Sequence, residues 1–152
     1  MRETRVNVWN TTTVTTNTTI NGPTIDLLSG YVGDYLYGTG EYGIGVELVA
    51  DNAVAGTTAY SVKLKWQHST DGTNWDDFGT IGTFNVDTAG KFVVNGSASP
   101  LSRDILKSNA EMARRYARLV AVSSGFAGSA SLRLRGWLAD GTIGQLDAGT
   151  HY

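Results

Sequence analysis

His68 and His151 are the only histidines in the chain, and His68 stands in the run Gln67-His68-Ser69-Thr70-Asp71-Gly72, beside a hydroxyl and a carboxylate. A serine nucleophile needs a base within hydrogen-bond reach and a third group that holds the base in place. Residues adjacent in one loop rarely converge on that geometry, so the chain is not expected to be an enzyme. Asp76-Asp77 has the residue types of glycoside hydrolysis. Successive strand positions point to opposite faces, however, and cannot flank one bond unless a bulge intervenes. Asp71, Asp76 and Asp77 offer hard oxygen ligands of the kind calcium takes, without the fixed spacing of a calcium loop. Turn aspartates more often cap backbone amides. The glycines of residues 29–45 form no phosphate loop, because no Lys-Ser/Thr follows them. No cofactor and no catalytic residue is implied.

The residues better placed for adhesion are aromatic, β-branched or arginine. Trp9, Val14 and Ile20 lie in a Thr-rich N-terminal stretch, Trp9 to Ile20, that favours extended backbone but has too few apolar groups for a core. It reads either as an arm ordered by pairing with a sheet edge or a neighbouring subunit, or as an ordinary edge strand with a frayed tip. Near the other end, Arg133, Arg135 and Trp137 alternate with Leu132, Leu134, Gly136 and Leu138. A face with two arginines and a tryptophan has the composition of a protein contact. The Gly-rich tail after it ends on Tyr152 and resembles a second arm. Tyr31, Tyr35, Tyr37 and Tyr42 sit among six glycines in residues 29–45. They read as packing over the end of the body or as a ring surface for a sugar or protein.

The elements that hold these residues follow from periodicity. In residues 60 to 67, Tyr60, Val62, Leu64 and Trp66 point one way and Ser61, Lys63, Lys65 and Gln67 the other. Asp71-Gly72 then suits the positive φ of a turn, and a second strand follows through Trp75 and Phe78. Ile44 to Ala50, Thr80 to Val86, Lys91 to Val94 and Tyr116 to Ser123 also read as strands, with a hairpin turn at Asp87-Thr88-Ala89-Gly90. Within residues 99–113, Ile105, Leu106, Asn109 and Met112 recur at helical spacing and Ser102 can cap a helix, so one short helix is expected. The fold expected is all-β, a two-layer antiparallel β-sandwich with that helix and extended arms. Its parts are an arm over 1–24, a body over 25–138 and a tail over 139–152.

Composition agrees with a single domain. The 152 residues are 41% hydrophobic and only 17% charged, with no cysteine and a net charge of −2. Disulfides and thiolate metal sites are excluded. Neither nucleic acid nor an acidic membrane has electrostatic support as a partner. No stretch approaches the ~20 apolar residues of a membrane span, and Met1 to Asn10 has no apolar leader. Between Arg5 and Lys63 the charges are Asp26, Asp34, Glu41, Glu47 and Asp51, whereas arginines crowd the later half. Such polarity suits a contact between one subunit's acidic half and its neighbour's basic half.

The run Lys63-Leu64-Lys65-Trp66-Gln67-His68-Ser69-Thr70-Asp71-Gly72-Thr73-Asn74-Trp75, followed by Arg114-Arg115-Tyr116-Ala117-Arg118-Leu119-Val120-Ala121-Val122, resembles a group of tailed-bacteriophage virion proteins associated with capsid decoration or cementing. The likeness spans about residues 44 to 138. It implies a jelly-roll-like or Ig-like sandwich on the outer capsid surface. It also implies the major capsid protein as partner, together with further copies of the chain. A trimer is favoured for a shell rich in threefold positions, with a dimer as the alternative. Assembly in the host cytoplasm would precede lysis. The alternative reading is a carbohydrate- or receptor-binding module of a tail fibre, built on Tyr31, Tyr35, Tyr37 and Tyr42.

Overall fold

The computed structural model of the chain describes residues 7–26, 43–111 and 114–139. These residues form strands β1 (Asn7–Val14), β2 (Thr19–Asn21), β3 (Ile25–Asp26), β4 (Gly43–Val54), β5 (Tyr60–Ser69) and β6 (Asp76–Val86). They continue as β7 (Val93–Val94), β8 (Ser97–Ala98), β9 (Arg103–Glu111), β10 (Tyr116–Ser124) and β11 (Ser131–Ala139). A four-stranded sheet runs β1-β11-β4-β9, and a five-stranded sheet runs β2-β10-β5-β6, with β3 beside β2 along the same edge of β10. A small third sheet pairs β7 with β8. Every pairing is antiparallel.

The two larger sheets share one core. From β5 come Tyr60, Val62, Leu64 and Trp66, from β10 Ala117, Leu119 and Ala121, from β4 Val46, Leu48 and Ala50, and from β11 Leu132, Leu134 and Leu138. Each set occupies alternate positions, as one buried face requires. The Tyr60 hydroxyl keeps its polar end satisfied inside, 2.8 Å from the Val54 carbonyl and 2.9 Å from that of Ser131. Two valines break the alternation: Val49 and Val120 have outward parity, yet are 4% and 1% exposed. Their cross-strand neighbours include Arg135 and Lys65, long chains whose stems can cover apolar surface while their heads stay wet.

The expected two-layer sandwich with a short helix and extended arms is corrected in three respects. There are three sheets, and no helix among the described residues. Within the segment read as a helix over 99–113, residues Arg103–Glu111 form β9, in register with β4 from Gly43↔Glu111 to Asp51↔Arg103, and Met112 lies outside the described residues. The helical stripe competes with an alternation that leaves Arg103, Ile105 and Lys107 exposed and Asp104, Leu106 and Ser108 partly covered. The open edge of β4 decides for the strand, since propensity is a weak prior against tertiary pairing.

The third correction concerns the N-terminal stretch, whose described part is woven into both sheets. β1 lies along β11, and the chain then crosses to β10, where β2 and β3 form one edge strand interrupted at Pro23. Pro23 cannot donate to a ladder and sits where none is needed. Ser123 fastens the crossing. The Thr18 N–H donates to its Oγ at 2.7 Å, and that hydroxyl faces the carbonyls of Thr16 at 2.7 Å and Thr18 at 3.0 Å. The Phe126 N–H donates to Asn17 Oδ1 at 2.8 Å. The tail expected over 139–152 lies outside the described residues, apart from Ala139 at the end of β11.

The strand expected over Lys91 to Val94 is also shorter than its sequence suggests. Only Phe92 bridges back, to Val86, while Asp87 Oδ1 closes the turn by accepting from the N–H groups of Ala89 and Lys91. Val93-Val94 instead makes a hairpin with Ser97-Ala98 through Asn95-Gly96, whose φ values of 52° and 82° suit a two-residue primed turn.

Candidate protein-contact surface

The solvent side of the four-stranded sheet gathers most of the charge carried by β4, β9 and β11. Arg133 lies opposite Asp51 across β11 and β4, and Arg103 lies opposite the same residue across β9. Arg133 Nε donates to Asp51 Oδ1 at 2.7 Å, and an Arg135 terminal nitrogen reaches Oδ2 at 3.3 Å. The Arg133 hydrogen bond holds the Asp51 carboxyl below its ordinary range, with the charges of Arg133, Arg135 and Arg103 acting in the same sense and burial opposing them. The carboxylate in turn raises the Arg133 pKa. Four residues along the face, the Lys107 ammonium sits 3.6 Å from Glu47. Trp137 lies opposite Glu47, and Val49 sits between Arg135 and Ile105.

Among the described side chains, Arg103, Lys107, Arg133 and Arg135 share Asp51 and Glu47 on this face, an excess of positive charge on a chain whose net charge is −2. Arg135 is only partly satisfied, since its buried Nε has no hydrogen-bond partner among the described residues. Ile105, 40% exposed, links the face to a groove of about 530 Å³ between the β7–β8 hairpin and the start of β9. Val94, Ala98, Pro100 and Leu101 line it, and Leu101 is 65% exposed. Exposed apolar surface beside a charged rim is the composition of a protein-docking site.

The runs 63–75 and 114–122 meet on the five-stranded sheet and hold one another. Ser69, fully buried, donates to Asp71 Oδ1 at 2.9 Å and accepts from the N–H groups of Asp71 and Gly72. Gly72 has φ 76°, which favours glycine, and a side chain there would meet the Tyr116 ring only at ordinary contact distance, 3.7 Å. Arg118 donates to Gln67 Oε1 at 2.8 Å and its guanidinium lies 4.3 Å from the Trp75 ring centre. Arg114 pairs with Asp76 at 2.6 Å and Arg115 with Asp26 through two hydrogen bonds of 2.9 Å. These motifs lock the β5–β6 turn onto β10.

The same contacts occupy the groups first considered for chemistry. The Ser69 hydroxyl belongs to the turn, and the His68 ring lies 4.8 Å from that of Phe78. Burial, with help from Arg114, lowers the His68 pKa. Asp77 accepts from Gln67 at 2.8 Å and from Lys65 at 3.1 Å, and Asp76 is held by Arg114. A bulge does fall here, between the Trp66 and Gln67 pairings, but each carboxylate keeps its own cation. Among the described residues no group of three or more His, Cys, Asp or Glu side chains is disposed to hold a metal ion.

Of the residues singled out for contact, the structure brings Arg133 and Arg135 together on Asp51 and sets Trp137 on the same face. Trp9 and Val14 are buried in the chain's own core, and Ile20 is partly buried against it. Tyr152 and the four tyrosines at 31, 35, 37 and 42 lie outside the described residues. Sequence reasoning missed Asp51, Glu47, Arg103 and Lys107 as members of the face. The strand expected over Ile44 to Ala50 stops short of Asp51, whereas β4 runs on to Val54 through a bulge at which Asn52 takes φ 53°. Arg103 and Lys107 fell inside the expected helix. Compared with known proteins, the chain matches no protein-family model, and no curated protein is a significant match.

Proposed function

We propose that the chain is a non-catalytic virion-surface protein of a tailed phage, a capsid decoration or cement protein that binds the outer surface of the major capsid protein shell and bridges its subunits. The observation that carries this reading is the arginine-rich face of the four-stranded sheet, with Arg103, Arg133 and Arg135 gathered around Asp51 and Lys107 beside Glu47. The motif resemblance adds the virion context. The partner surface is acidic, because incoming carboxylates can take over guanidinium donors that Asp51 alone does not satisfy. Contact thus falls on the sheet face, while Trp9 and Val14 contribute packing.

The test is re-binding of purified protein to capsids that lack it. Arg133→Glu with Arg135→Glu is expected to abolish decoration and the parent protein to saturate the shell, with both proteins showing the same far-ultraviolet circular dichroism. Full occupancy by the charge-reversed protein would remove the proposal.

A further inference from the structure

The edges of the two large sheets differ in how open they are to another strand. β1 meets β11 with two register shifts, and β6 meets β5 with two. β2 and β3 have three and two residues and are separated by Pro23. Bulges, prolines and short lengths are the ordinary protections of a sheet edge. β9 has none of these. Its nine residues meet β4 without a shift, and among the described residues it pairs with no other strand. The Ile105 N–H donates to the Asp104 carboxylate of its own strand at 2.9 Å, and so is directed away from β4. Antiparallel alternation then sends the backbone groups of Arg103, Lys107, Asn109 and Glu111 to the same open side.

We propose that β9 is a self-association edge. A second copy adds its own β9, antiparallel, across a two-fold axis at Lys107, joining two four-stranded sheets into one continuous sheet. Charge together with full overlap of the nine residues selects the occupant and the register. Centred on Lys107, the pairing sets Arg103 opposite the partner's Glu111, twice by symmetry, and Ile105 opposite the partner's Asn109. The neighbouring registers set Ile105 against Lys107 or against Glu111 and bring no opposite charges together. The two Lys107 residues meet at the axis, where the Glu47 carboxylate 3.6 Å from each ammonium offsets their repulsion. In the unpaired chain, the Asp104 carboxylate stands in for the strand carbonyl that would otherwise receive the Ile105 N–H. Paired over nine residues, the contact runs about 30 Å. It also places the two arginine-rich faces side by side on one surface.

This inference is independent of any capsid, and purified full-length chain tests it. Sedimentation velocity over a concentration series is expected to show a dimer. Lys107→Pro removes an N–H on the open side and spares the ladder to β4, so it is expected to give a monomer. R103E and E111R are each expected to weaken the dimer at least tenfold, and the two together to restore it. The charge-exchange set decides the matter even if the proline variant fails to fold. A wild-type monomer at roughly 100 µM, the weak end of specific association, would overturn the proposal. So would a closed trimer, or a dimer that the charge exchange neither breaks nor rescues.

Discussion

Four donors converge on the Asp71 carboxylate: the N–H groups of Thr73 and Asn74, the Asn74 side-chain amide and the Ser69 hydroxyl. The Asn74 and Thr73 backbone bonds, followed by the two side-chain bonds, hold its pKa far below the ordinary carboxylate value. A depressed folded-state pKa means that the ionised group favours the folded state above the unfolded pKa, and that this contribution is lost as pH falls through the folded value. The loss therefore begins below about pH 4. Asp71→Asn is expected to lower the melting temperature at pH 7 and to flatten its fall between pH 4 and 2. Calorimetric scans across that range check it, and an unchanged acid slope would contradict the assignment. The Asp-Gly turn was legible because its chemistry is local. The stacking of Arg118 on Trp75 was not, because the partners are far apart in sequence and meet only once β10 lies beside β5.

At the scale of elements, β5 and β11 were legible from alternation, since each has one face in the core and one toward solvent, and β10 from an apolar run that suits an interior strand. β9 was not, and β1 only as one of two readings, for related reasons. Each is an edge strand with a thin apolar pattern, and each is defined more by the strand it pairs with than by its own residues. For β1 the consequence is testable. Its Trp9 and Val14 are 6% and 2% exposed, so the segment is a structural part of the body. Deleting residues 1–17 is expected to leave a chain that is largely unfolded or melts far below the full-length protein by circular dichroism. Ser123→Ala probes the same crossing more gently. It leaves the Thr18 N–H and the Thr16 carbonyl without their partner, at a cost of about 1–3 kcal/mol in urea unfolding. A deletion variant as stable as the parent would restore the view of a detachable arm.

For the whole molecule, the crossing between β1 and β2 decides how the fold holds together. β1 is an edge of one sheet, β2 and β3 an edge of the other, and the few residues between them carry the chain across the side of the core. The opposite side is closed by contact of another kind: a side chain at Gly82 of β6 would meet Leu106 of β9 at about 3.0 Å. Neither sheet can leave without exposing the apolar face of its partner and stripping one of these two seams. Trp9 reports from the first sheet and Trp66 from the second, and both belong to the same buried cluster. Their fluorescence, isolated by replacing the other tryptophans with phenylalanine, is therefore expected to change with one midpoint in urea, coincident with circular dichroism. Trp9 melting first would mean that the N-terminal strand is a separate cooperative unit docked on a finished body. In that event the seam at Ser123, rather than the shared core, would set the stability of the N-terminal strand.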